Sequence, residues 1–138
     1  MLNRKGFTLM ELTIVLAILA VVAAILIPSF LTTTDRARLR SDVQSARVIQ
    51  NAIDLYTLER SQAPQGATLS AMMTHLTTQG FLSAQNATAP SSGAVWELRD
   101  NNRVIVNIAA LPDLVSSANA LPVSERRLIY NGTTPLAP

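Results

Sequence analysis

Between Leu12 and Thr34 the chain carries 23 consecutive uncharged residues, most of them Leu, Ile, Val and Ala. As an α-helix at about 1.5 Å per residue this run covers roughly 35 Å, enough to cross the ~30 Å hydrocarbon core of a bilayer. A helix that is apolar all round needs lipid or protein on every side. Arg4 and Lys5 precede the run, and positive flanks stay cytoplasmic. The remainder of the chain is therefore expected beyond the cytoplasmic membrane. Two outcomes share this pattern. One is an ordinary signal peptide, cut after small residues such as Ala20, Ala23 or Ala24 and discarded. The other is a retained membrane helix. Glu11 favours the second, because it stands inside the apolar stretch, where a carboxylate is costly and normally has a purpose and a partner.

Charge and composition narrow the function classes. Removing Arg4 and Lys5 leaves nine basic against nine acidic residues. The basic balance is thus confined to the extreme N-terminus and is a poor argument for nucleic-acid binding, which depends on phosphate neutralisation. The chain has no Cys and one His, His75. A disulfide framework, a redox CxxC pair and a thiolate zinc site are excluded. No GxSxG, phosphate-binding glycine loop or HExxH motif occurs. No catalytic residue, metal site or cofactor is expected.

The run Lys5-Gly6-Phe7-Thr8-Leu9-Met10-Glu11-Leu12, followed by the apolar stretch, resembles a type IV prepilin or type II secretion pseudopilin. That family's signature is a short basic leader ending in Gly, then Phe-Thr-Leu, an apolar residue and Glu before a long hydrophobic segment. The resemblance covers about the first 30 residues. It implies cleavage between Gly6 and Phe7 by a prepilin peptidase on the cytoplasmic side, and N-methylation of the new Phe7 amine. It also implies a helical homopolymer with the apolar helices at its centre. An assembly ATPase and an inner-membrane platform protein would drive subunits out of the membrane. The chain would be single-pass in the cytoplasmic membrane, held by lipid, and at the cell surface as a pilus after assembly.

The role of Glu11 can be argued from physics. A helix beginning at Phe7 places Glu11 one turn on, near the positive end of the helix dipole. In apolar surroundings the nearest cation is an N-terminal amine, its own or an adjacent subunit's. Glu11 is expected to pair with a neighbour's Phe7 amine and set the axial register. Pro28 lies inside the same helix; lacking an N–H and crowding the Ala24 carbonyl, it is expected to kink or locally melt it.

Beyond the apolar run, Leu39, Val43, Ala46, Ile49, Ile53 and Tyr56 fall on one helical face. One kinked helix is expected from Phe7 to about Arg60. Arg38 and Asp42 are expected as an i,i+4 surface pair, within a solvated or headgroup-facing group of Arg36, Arg38, Arg40 and Arg47. Ser61 to Gly66 breaks the helix. A short helix from about Leu69, closed by Gly80, follows, then a loop from Asn86 to Gly93. Val95–Leu98 and Val104–Ile108 flank a turn and read as a hairpin. Leu111–Leu121 is open between a short helix and a loop. Arg127–Tyr130 is a third strand, ending at Asn131-Gly132, and Thr133–Pro138 a tail. Asn86 and Asn131 each open a short glycosylation-type triplet, a pattern that also arises by chance.

The expected fold is α+β: a long N-terminal helix packed on a small antiparallel sheet. Its parts are a cleaved leader (1–6), an apolar membrane and filament-core segment (7–31), an amphipathic half (32–60) and a globular head (61–138). Function is expected to be that of a pilin, a non-enzymatic filament subunit. The alternatives are a pseudopilin of a type II secretion or competence system, a secreted module behind a signal peptide, or a permanent single-span protein. An acid-poor C-terminal region, holding only Asp113 and Glu125, speaks against the oxygen-rich calcium loop of major pseudopilins.

Overall fold

A computed structural model describes residues 7–99 and 102–137. The chain divides into two compact units, Met1–Thr34 and Asp35–Pro138. The expected leader, including Gly6, lies outside the described residues, as do Asp100 and Asn101 of the hairpin turn.

Helix α1, Leu9–Arg60, contributes to both units. In the first unit every described side chain from Phe7 to Thr33 is exposed. Among the described residues the span has nothing to bury against, whereas a helix apolar all round requires lipid or protein on every side. Threonine hydroxyls in it are satisfied locally. Thr13 donates to the Met10 carbonyl at 2.9 Å, Thr33 to the Ser29 carbonyl at 2.9 Å and Thr34 to the Phe30 carbonyl at 3.0 Å. Such back-bonding lets a polar side chain sit in a helix without needing water.

In the second unit α1 turns amphipathic, and all six residues of the spaced face are buried, with Ala52 beside them. The helix ends where Ser61 adopts φ 53°, ahead of Pro64 and Gly66. Gly66 approaches α2, Leu69–Thr78, so closely that a Cβ would lie 2.7 Å from the Met72 nitrogen. Thr68 caps α2, accepting from the Ala71 N–H at 3.3 Å. Gly80, at φ 80°, closes it: Phe81 N–H reaches the Leu76 carbonyl at 2.9 Å and Gly80 N–H that of Thr77 at 3.2 Å. This is the left-handed glycine termination expected from the sequence. A 3₁₀ turn, Ala84–Ala87, then opens a loop.

Four strands follow: β1 Val95–Arg99, β2 Arg103–Asn107, β3 Ile129–Asn131 and β4 Thr134–Pro135, in the order β1-β2-β3-β4. β1 and β2 form the expected antiparallel hairpin, with Trp96 opposite Val106. The α+β class is as expected, but the sheet is mixed rather than antiparallel, because β3 runs parallel to β2. A parallel neighbour needs a crossover of a dozen or more residues. Residues 108–128 supply it, with α3 Leu114–Asn119 and α4 Val123–Arg126. The open segment Leu111–Leu121 is therefore helical in its middle. The expected tail is also corrected: β4 pairs with β3, and the Leu136 N–H reaches the Ile129 carbonyl at 3.0 Å.

Val104, Val106 and Ile108 join Ile129, Leu76, Met73 and the α1 face in one core cluster. Ile105, fully buried, alternates to the opposite side of the pleat. The N–H groups of Val106 and Ile108 bond to β3-side carbonyls of Leu128 and Tyr130, both at 2.8 Å. The Val104 N–H has the same parity, but β3 is too short to reach it. Gln50 of α1 takes that place, its Oε1 accepting at 2.8 Å while its Nε2 donates to Asp54 at 2.9 Å. Gln50→Leu is expected to leave this strand N–H unpaired and to destabilise the head by about 1–3 kcal/mol. Urea unfolding of the detergent-solubilised chain, read by its single tryptophan, Trp96, measures the change; an unaltered midpoint would remove Gln50 from the helix–sheet junction.

Candidate functional site

The start of α1 is built from three residues. Thr8 precedes the helix, and its Oγ1 accepts from the Glu11 N–H at 3.2 Å. Glu11 reaches back, its Oε2 accepting from the Thr8 N–H at 2.9 Å and from the Thr8 hydroxyl at 3.0 Å. This reciprocal arrangement is a capping box, which satisfies otherwise orphaned helix donors. The sequence carries its signal, Thr-x-x-Glu before an apolar run, but reasoning from charge passed over Thr8. Both bonds fall on one oxygen. Among the described residues, Oε1 of Glu11 has no partner, so the carboxylate fixes its own helix and still offers an acceptor. Phe7 stands one residue ahead of the box and is exposed.

Pro28 lies within α1, which continues through it. Ser29 and Phe30 carbonyls just beyond it receive the threonine hydroxyls described above. The helix is long and apolar enough to cross a membrane by length and composition, and none of its most apolar window is buried.

The arginine group and its acids differ from expectation at Asp42, Arg40 and Arg47. Asp42 makes no surface pair with Arg38; it is 2% exposed. Its Oδ1 accepts from the N–H and hydroxyl of Ser91 at 2.7 and 3.0 Å, and its Oδ2 from the Ser92 N–H at 2.9 Å. Three bonds to a carboxylate, two from backbone amides, outweigh an exposed i,i+4 ion pair. Arg40 pairs instead with Glu125 at 3.2 Å, and Arg47 donates to the Ser124 carbonyl at 3.0 Å.

His75 is half-buried and packs edge-on against Tyr56, ring centres 5.2 Å apart. Among the described residues no group of three or more His, Asp or Glu side chains could hold a metal ion. An open groove of about 590 Å³ along the end of α1 is lined by Gln50, Asp54 and Thr57 among others. Three of its polar groups are already engaged, Gln50 with Val104 and Asp54, Asp54 with Gln50, and Thr57 with the Ile53 carbonyl.

The structure thus defines a chain whose N-terminal segment is a self-capped, fully exposed apolar helix with one carboxylate, attached to a head that buries its own core. Comparison with known proteins agrees on the class. Residues 1–27 match the family model described as the prokaryotic N-terminal methylation motif, so the chain carries the prepilin-type N-terminus. It is similar to type II secretion system core protein G of Klebsiella michiganensis, 29% identical over 62 residues, 45% of this chain and 44% of the relative. The corresponding protein of Pectobacterium carotovorum is 32% identical over 80 residues, 56% of this chain and 50% of the relative. Prepilin peptidase-dependent protein A of Clostridium perfringens is 38% identical over 58 residues, 41% of each chain. The chain spans about half the length of the curated relatives it matches. No solved structure matches it significantly.

Proposed function

We propose that the chain is a structural subunit of a pilin- or pseudopilin-type filament. One observation carries this reading: the methylation motif sits at the head of an apolar helix with no internal partner. Lipid shelters that helix first and neighbouring subunits shelter it afterwards. A prepilin peptidase cuts between Gly6 and Phe7 and methylates Phe7. Glu11 then meets a neighbour's Phe7 amine through its open oxygen. Pro28 marks a place where the helix can loosen on packing, since one backbone bond is already missing there. An assembly ATPase and a membrane platform protein drive the transfer. The chain is a single-pass membrane protein before assembly and part of a surface filament after it, with no enzymatic role.

Mass spectrometry of the processed chain tests this. The expected N-terminus is methylated Phe7. A chain starting after Ala23 or Ala24, or one retaining Met1, overturns the reading. Relatives named type II secretion core protein G favour a pseudopilin as the second reading. A deletion strain that loses secretion but keeps motility and transformation selects it.

A further inference from the structure

Within the second unit, the charges on the solvent side of α1 are segregated along its length. Arg36, Arg40 and Arg47 fall within about 40° of one another around the helix, and Asp35 and Asp42 lie outside that sector. Asp54 comes next on the same line. It follows Arg36 by eighteen residues, which is about five full turns and 27 Å of rise. Arg40 and Arg47 are engaged within the chain, by Glu125 and by the Ser124 carbonyl. Arg36 is exposed and makes no ion pair among the described residues. Asp54 is exposed too, and is its complement. Its Oδ1 accepts from Gln50 at 2.9 Å, while among the described residues Oδ2 has no partner. Asp54 lines the open groove of about 590 Å³, together with Thr57, Leu58 and Asn102. The nearest cations of the same chain lie elsewhere. Arg60 is about 120° around the helix from Asp54, and Arg103 lines a different groove with Tyr130.

We propose that this acidic groove receives the Arg36 side chain of a second copy of the chain, its helix parallel and offset along the axis by about 27 Å. The proposal rests on the filament reading above and names a contact between subunits beyond the apolar span. The same offset matches other side chains. Ala37 comes level with Leu55, a small residue against one that is 53% exposed. Arg40 comes level with Leu58, which is 82% exposed, and an arginine stem covers apolar surface while its head stays wet. Without the offset, Arg36 would face Arg36 and Asp54 would face Asp54, and like charges placed together suppress a register. One exposed ion pair contributes little by itself; here it selects the register while Leu55 and Leu58 lose contact with water. The contact joins two different patches, so it is heterologous and extends from copy to copy without closing. An antiparallel pair would satisfy Arg36 and Asp54 twice and close as a dimer. Parallel copies are favoured because the basic flank orients every span the same way.

The test uses sheared filaments of the full chain. Because the sequence has no Cys, Ala37→Cys with Leu55→Cys introduces the only thiols and leaves the charge pair in place. A short bis-maleimide is expected to convert these filaments into a ladder of covalent multimers on a denaturing gel, while Ala37→Cys alone stays monomeric. Charge reversal supplies the second arm. Arg36→Asp and Asp54→Arg are each expected to lower sheared filament about tenfold, and the two together to restore it to within about twofold of the parent. Asp54→Arg also takes an acceptor from Gln50. Asp54→Asn keeps that acceptor, and is expected to lower filament about threefold with unchanged thermal unfolding of the detergent-solubilised chain. Cross-links that stop at dimers, a strong dimer from Ala37→Cys alone, single reversals that assemble like the parent, or a double reversal no better than either single one overturn the proposal. A parent chain that yields no filament overturns the filament reading itself.

Discussion

Filaments are expected to disappear when Glu11 is replaced by Val, while leader removal proceeds at its normal yield. The substitution makes the span more apolar, so insertion is not impaired. It removes two things: the back-reaching half of the capping box with Thr8, and the acceptor that we propose for a neighbour's amine. Loss of the first alone frays one helix end, a modest effect. On the proposed pairing, loss of the second would leave a buried cation without its partner, which is strongly unfavourable. The drop in sheared filament is accordingly expected to be on the order of 100-fold. Thr8→Val separates the two contributions. It deletes the hydroxyl contacts but keeps the carboxylate, and is expected to reduce filaments only slightly. Immunoblots of the sheared fraction, with mass spectrometry of the cell-bound chain, read both quantities. Abundant filaments from the Glu11 variant would refute the pairing.

The largest effect on the head is expected from Asp42→Ala. Its carboxylate is buried on α1 and receives two backbone N–H groups and a hydroxyl from Ser91 and Ser92. Those residues lead into β1, so Asp42 ties the helix to the entry of the sheet. Removing the acceptor leaves two amides without partners in a half-buried place. A loss of about 3 kcal/mol is expected, with a fall in melting temperature of more than about 10 °C. Asp42→Asn, which keeps one acceptor, falls between. Thermal unfolding of the detergent-solubilised chain followed by circular dichroism measures both. An alanine variant melting with the parent would show that the loop is held by its own turn.

Much of the architecture is readable in one dimension. The face from Leu39 to Tyr56 is a periodic signal, and helix periodicity survives whatever it packs against. Gly80 announces the end of α2 because only a left-handed residue closes that turn. The Phe7–Glu11 motif is a local pattern with fixed spacing, and so is the Thr8 cap that charge reasoning passed over. The hairpin of β1 and β2 is legible because its strands are adjacent. The direction of β3 is not local: the same Leu128-Ile129-Tyr130 run suits a parallel or an antiparallel neighbour, and the clue lay in the length of chain from Ile108 to Leu128. The pairing of β4 rests on the two-residue loop Gly132-Thr133 between the partners Asn131 and Thr134, with Gly132 at φ 70°, a local turn signal that the expected tail did not use.

Asp42 marks the boundary. Spacing alone pairs it with Arg38, since helix neighbours are set by the 3.6-residue turn. Its true partners lie 49 and 50 residues away and become neighbours only when the loop before β1 folds back. The N-terminal segment is decided by short-range chemistry: apolar length, one acid, and the threonine three residues before it that caps the helix. The partners of the head's charges are decided by long-range packing, which buries the Asp42 carboxylate against Ser91 and Ser92 and brings Glu125 to Arg40.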